Sequence, residues 1–194
     1  MIYIVSGFFR SGTSMMMQAL HHGGIPVYRN LKRDRLNEHY TDRMNRPNPV
    51  SLYEPSFDDL KVPGFPRWHN GHLVKLLVPF LSAMAVHEYR VVVMRRDPEA
   101  IMESYAKAFK EHWDRAMLDL WIDEYPQRME EAQKWFENRR DVYSVHIVDL
   151  DEVVKDPVGT FSLLKSAGWP LDPIKAAQVP QTPEFERGRL CLAA

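Results

Sequence analysis

Short apolar runs alternate along the chain with stretches whose apolar positions recur every three to four residues. Residues 2–5, 73–77, 90–94 and 142–148 are runs of strand length, and they predict buried strands. A further short strand is predicted at 25–27. Helical periodicity covers 15–20 and stops at His21, His22, Gly23 and Gly24, where the glycines supply a C-cap and turn. It returns after Asp97 and Pro98, an N-cap residue followed by a proline suited to the first helical position. From 112 to 140, Trp113, Met117, Leu120, Trp121, Met129, Ala132, Trp135 and Phe136 repeat at helical spacing and mark a core-facing stripe. Pro126 should break or kink that stripe into two helices. Strands alternating with helices predict a single α/β domain over 1–194. It should have three layers, with a central, mostly parallel sheet flanked by helices and ligands at the carboxyl ends of the strands.

Residues 28–70 lose this periodicity and fill with Arg, Asn, Asp and Pro. Within them Arg29, Lys32, Arg33, Arg35, Arg43 and Arg46 outnumber Asp34, Glu38 and Asp42. Such a run reads either as a solvated face or as a lid over a substrate. Charge is otherwise balanced, 25 basic against 26 acidic residues, so no nucleic-acid or anionic-membrane partner is expected. One cysteine, Cys191, forms no internal disulfide framework and suits a reducing compartment. No apolar segment reaches the length of a membrane helix, and the expected setting is cytoplasmic.

Two stretches carry candidate chemistry. The first is Gly7-Phe8-Phe9-Arg10-Ser11-Gly12-Thr13-Ser14, between a predicted strand and a predicted helix. A glycine-bounded loop entering a helix presents successive N–H groups and the positive end of the helix dipole to an anion. The spacing nearly matches the P-loop of nucleoside triphosphatases, but Thr13 stands where their lysine reaches the β- and γ-phosphates. Arg10 is the loop's basic side chain, and its planar fork suits an oxyanion. The second stretch is Arg96-Asp97-Pro98, with Ser104 eight residues after Arg96. It too is a strand-to-helix junction tipped by an arginine. His69-Asn70-Gly71-His72 lacks the further ligands that a metal site needs, so no metal is expected.

The first stretch resembles the 5′-phosphosulfate-binding loop of the PAPS-dependent sulfotransferases, in which a basic residue precedes Ser-Gly-Thr-Ser/Thr. The second is similar to that family's 3′-phosphate-binding element. Further along, Asp149-Leu150-Asp151-Glu152, Asp156-Pro157, Phe161-Ser162-Leu163-Leu164 and Gly168-Trp169 resemble its closing signature, so the likeness extends over most of the chain. The resemblance implies a P-loop-like fold and transfer of a sulfuryl group from 3′-phosphoadenosine 5′-phosphosulfate (PAPS) to a hydroxyl or amine, releasing the 3′,5′-bisphosphate (PAP), with no metal. It implies that Arg10, Ser11, Gly12, Thr13 and Ser14 hold the 5′ end and that Arg96 and Ser104 hold the 3′-phosphate. Lys75 matches the lysine of the family's Lys-Thr-His strand, but Leu77 occupies the histidine's position. The expected base is therefore Glu54, in a segment, Asn48-Pro49 to Tyr53-Glu54-Pro55, that is similar to one in bacterial sulfotransferases. Arg187-Gly188-Arg189 faintly resembles a C-terminal 3′-phosphate element, although a solvated tail is the simpler reading.

The expected catalytic set is thus Arg10, Lys75 and Glu54, acting on a small-molecule or saccharide acceptor that the sequence does not name. Two other classes share these features. A small-molecule kinase would have the same fold with Mg²⁺ and a lysine at Thr13. A non-catalytic nucleotide-binding protein would keep Arg96 and Ser104 and lack a base.

Overall fold

The computed structural model describes residues 1–27, 55, 57–109 and 114–181. In chain order, β1 (Ile2–Gly7) leads through a tight loop to α1 (Thr13–His22), and the short helices α2 (Phe57–Lys61) and α3 (Phe65–Trp68) precede β2 (Leu73–Leu77). A 3-10 turn at Val78–Ala83 joins β2 to β3 (Tyr89–Arg95). Then come α4 (Pro98–Phe109), α5 (Arg115–Glu137), β4 (Val142–Asp149), α6 (Leu150–Lys155), α7 (Pro157–Ser166) and α8 (Pro173–Gln178). The strands form one parallel sheet in the order β2-β1-β3-β4.

The interior strands β1 and β3 are apolar on both faces, because a parallel sheet has helices on each side and no face left for water. On one side Ile4, Val91 and Val93 pack with Ile101 of α4 and with Tyr125, Met129 and Phe136 of α5. On the other, Val5, Val92 and Met94 pack with Met16 and Leu20 of α1 and with Phe161 and Leu164 of α7. The result is the expected three-layer α/β arrangement. Among the described residues, no helix is long and apolar enough to cross a membrane.

Several local expectations need correction. Helix α5 runs unbroken through Pro126, which lies on its exposed face. The carbonyl that the proline leaves without an N–H partner can there be met by water, so the helix continues. The short strand expected at 25–27 is reduced to a single bridge, Val27 to Leu73. The aperiodic 28–70 stretch is not irregular throughout: α2 and α3 lie inside it, and Leu60 and Phe65 enter the core. The turn after α1 is as expected. Gly24 at φ 108 closes it, with Ile25 N–H donating to Leu20 O and Gly24 N–H to His21 O, the paired bonds of a Schellman cap.

Candidate anion-binding site

Both candidate stretches lie at the carboxyl ends of the two interior strands, side by side in register, since Gly7 pairs with Met94. The chain leaves β1 at Gly7, turns at Phe8–Ser11 and enters α1. Ser11 secures the turn through its hydroxyl, which donates to Phe8 O at 2.7 Å. Gly12 precedes the helix at φ 94, and its missing side chain leaves room for Leu150 of α6, which would lie 2.7 Å from an added Cβ. The helical ladder starts with Met16 N–H donating to Gly12 O at 3.0 Å. The N–H groups of Thr13 and Ser14 therefore have no acceptor within the helix, and glycine supplies no capping side chain. Such a helix start is suited to a phosphate or sulfate oxygen.

Arg10 stands at the crest with φ 62, a left-handed conformation that costs a non-glycine residue about 1–2 kcal/mol. Two contacts hold it there. Its carbonyl accepts from Arg96 Nη1 at 2.9 Å, and its own Nε donates to Ser104 Oγ at 3.0 Å. The loop and the Arg96–Ser104 pair, far apart in sequence, are thus one hydrogen-bonded unit.

The tandem arginines at the end of β3 diverge. Arg95 turns outward into a two-point pair with Asp149, at 2.7 and 2.6 Å, and that hydrogen bond raises its pKa. Arg96 turns inward toward the loop. Burial lowers its pKa, and Asp151, Asp97 and Glu103 act in the opposite direction; a guanidinium remains charged regardless. Asp97 caps α4 by accepting from Ala100 N–H at 2.8 Å, which fixes where Ser104 emerges on the second turn. Ser104 is 9% exposed.

Lys75 lies on β2 beside Val5 and donates to Ser14 Oγ at 3.3 Å, so a second cation reaches the start of α1. Leu77, paired with Gly7, is half-buried on the same face of β2 as Lys75. Glu54 lies outside the described residues, as do the 28–54 charged stretch, Cys191 and Arg187 to Arg189. His69 and His72 lie before β2, at the opposite end of the sheet from Arg10. His69 stacks on Phe65 at 3.9 Å and its Nδ1 is 2.6 Å from Phe65 O, the setting of a packed core histidine.

The structure brings together Arg10, Ser11, Gly12, Thr13, Ser14, Lys75, Arg96 and Ser104. It also reveals a residue that the sequence reading passed over. Tyr125 of α5 is 3% exposed; its ring packs 5.4 Å from that of Phe8, and its hydroxyl accepts from Arg96 N–H at 3.3 Å. The signal was present as the spacing of four from Trp121, which sets Tyr125 on the same helix face.

No protein-family model matches the chain, and no curated protein matches it. Among solved structures, sulfotransferase STF1 from Mycobacterium tuberculosis is similar over 93% of this chain and 70% of its own, at TM-score 0.54 and 17% identity. Retinol dehydratase, solved with androsterone and the inactive cofactor PAP, is similar over 93% of this chain at TM-score 0.49 and 15% identity. The chain spans 63% of that protein's length. The likeness to STF1 shows the fold, the α/β fold of a sulfotransferase.

Proposed function

We propose that the protein is a PAPS-dependent sulfotransferase. The observation that carries the reading is the coupling of two anion elements through Arg10, whose carbonyl takes an Arg96 N–H and whose guanidinium reaches Ser104. A ligand with anionic groups at both its 5′ and 3′ ends uses both elements; a nucleotide with phosphate at one end uses half of the site. The helix start, with the N–H groups of Thr13 and Ser14 unspent within α1, fits the 5′ end. Arg96 and Ser104 fit the 3′-phosphate. Thr13 is 4% exposed and uncharged, which disfavours a kinase.

In the proposed reaction the acceptor oxygen or nitrogen attacks sulfur in line. A new bond to sulfur forms as the bond from sulfur to the 5′-phosphate oxygen breaks, and that oxygen leaves with the negative charge. Arg10, the N–H groups at the start of α1 and Lys75 are the groups that would stabilise it. The acceptor's proton goes to a base, for which Glu54 is proposed. The acceptor is a small molecule or saccharide, and the expected cytoplasmic setting belongs to the same reading.

A thermal-shift titration tests the ligand. Adenosine 3′,5′-bisphosphate should bind at least about tenfold more tightly than AMP, since a charge-assisted bond contributes about 1.5–3 kcal/mol and tenfold needs about 1.4. Arg96→Ala should remove most of the difference. Stronger stabilisation by ATP with Mg²⁺ than by the bisphosphate would sink the proposal in favour of a kinase.

A further inference from the structure

Tyr125 belongs to neither anion element, yet it touches both. Its ring lies against Phe8, two residues before Arg10, and 5.8 Å from the ring of Trp121, which in turn stacks on Phe9 at 5.4 Å. Its hydroxyl accepts the N–H of Arg96 at the point where β3 ends and the chain bends toward α4. Beyond the strand that N–H has left the sheet ladder, and the turn in front of the Asp97 cap offers it no other acceptor among the described residues. A backbone N–H taken partly out of solvent is best satisfied by a protein acceptor, and here the Tyr125 oxygen is that acceptor.

We infer that Tyr125 is a positioning residue that determines how strongly the site discriminates in favour of a 3′-phosphate. It acts through the backbone of Arg96. With the N–H anchored, the side chain leaves the junction on the side facing the loop, where Nη1 reaches Arg10 O. Released, the junction is free to rotate and the guanidinium loses its fixed direction toward the Arg10 carbonyl at the loop crest. The aromatic ring does a separate job: it backs the loop through Phe8. The hydroxyl and the ring are thus divisible by a single substitution, because phenylalanine keeps the ring and removes the oxygen.

The assignment rests on the bisphosphate reading of the site. Its test is Tyr125→Phe, measured by calorimetric titration with adenosine 3′,5′-bisphosphate and separately with AMP, alongside the ligand-free melting temperature. Bisphosphate affinity should fall by about three- to tenfold, the range expected for one lost hydrogen bond. AMP affinity should stay within about twofold, because the loop is still backed by the ring. Equal weakening of both ligands would mark a merely structural role and overturn the assignment, as would an unchanged ratio. A wild type that prefers the bisphosphate while Tyr125→Phe prefers it equally refutes this inference alone. A wild type with no preference refutes the ligand reading together with the inference built on it.

Discussion

Gly7 is the position where the site and the sheet constrain one another most tightly, and replacing it with alanine gives a quantitative prediction. At φ 145 an added Cβ would stand 2.8 Å from Met94 O, 2.6 Å from Ser11 Oγ and 3.1 Å from Thr13 Cγ2. The Ser11 hydroxyl could swing away only by giving up its bond to Phe8 O. Met94 O is main chain of β3, in register with Gly7, and can yield only if the strand shifts. An L-residue in such a backbone region costs about 1–3 kcal/mol. Forcing one carbon into a packed space costs about 1–3 kcal/mol more. With about 3 kcal/mol as a working sum, a chain of 194 residues should melt about 6–12 °C lower, at about 2–4 °C per kcal/mol. Urea unfolding should show a lower midpoint at unchanged slope, the pattern of lost stability without a changed unfolded state. Stability within about 0.5 kcal/mol of wild type would refute this account of the loop.

The remaining predictions concern chemistry and pH. Arg10→Ala should lower kcat by about 10²–10³, as for loss of an oxyanion donor, and Glu54→Gln should lower turnover while bisphosphate affinity holds; labelled-PAPS turnover at wild-type level in either variant rejects that residue's role. His146 on β4 has a lowered pKa, chiefly from burial and then from Arg90, and its Nε2 has no partner among the described residues. It stays neutral in the fold while the unfolded chain takes up a proton below about pH 6.5, so stability should decline as pH falls from about 7 toward 5. His146→Gln should flatten part of that decline in urea titrations, and an identical slope in both proteins would show that the histidine is not responsible.

Wherever the pattern was continuous and apolar, the fold was legible. The four strands and α1 follow from hydrophobic runs, and Asp97 capped α4 as its chemistry requires. Pro126 misled because a helix can continue through a proline on its solvent face, where the orphaned carbonyl can meet water, and exposure cannot be read from one residue type. The helices α2 and α3 were hidden because each is too short to show a period. At the site, residue types and spacing marked Arg10, Arg96 and Ser104, but not that Arg10 O would join the loop to Arg96. That bond depends on a positive φ at a residue which rarely adopts one, and on strand register, and neither is local information. Tyr125 escaped for a similar reason: its partner is a backbone N–H, which has no signature in sequence.

The strand order also sets a timetable for synthesis. β1 lies between β2 and β3 in space but precedes both in the chain, so every one of its hydrogen bonds to the sheet joins it to residues made much later. At about 5–20 residues per second, several seconds separate Gly7 from Arg95 on the ribosome. During that interval an apolar strand is complete with neither edge covered until β2 is made, and with its β3 edge open until the end. Contacts this distant in sequence make for slow closure, and an unpaired apolar strand is what aggregation selects. The arrangement that sets the Arg10 loop and the Arg96 junction side by side therefore leaves the nascent chain dependent on holding β1 out of other company until β3 emerges.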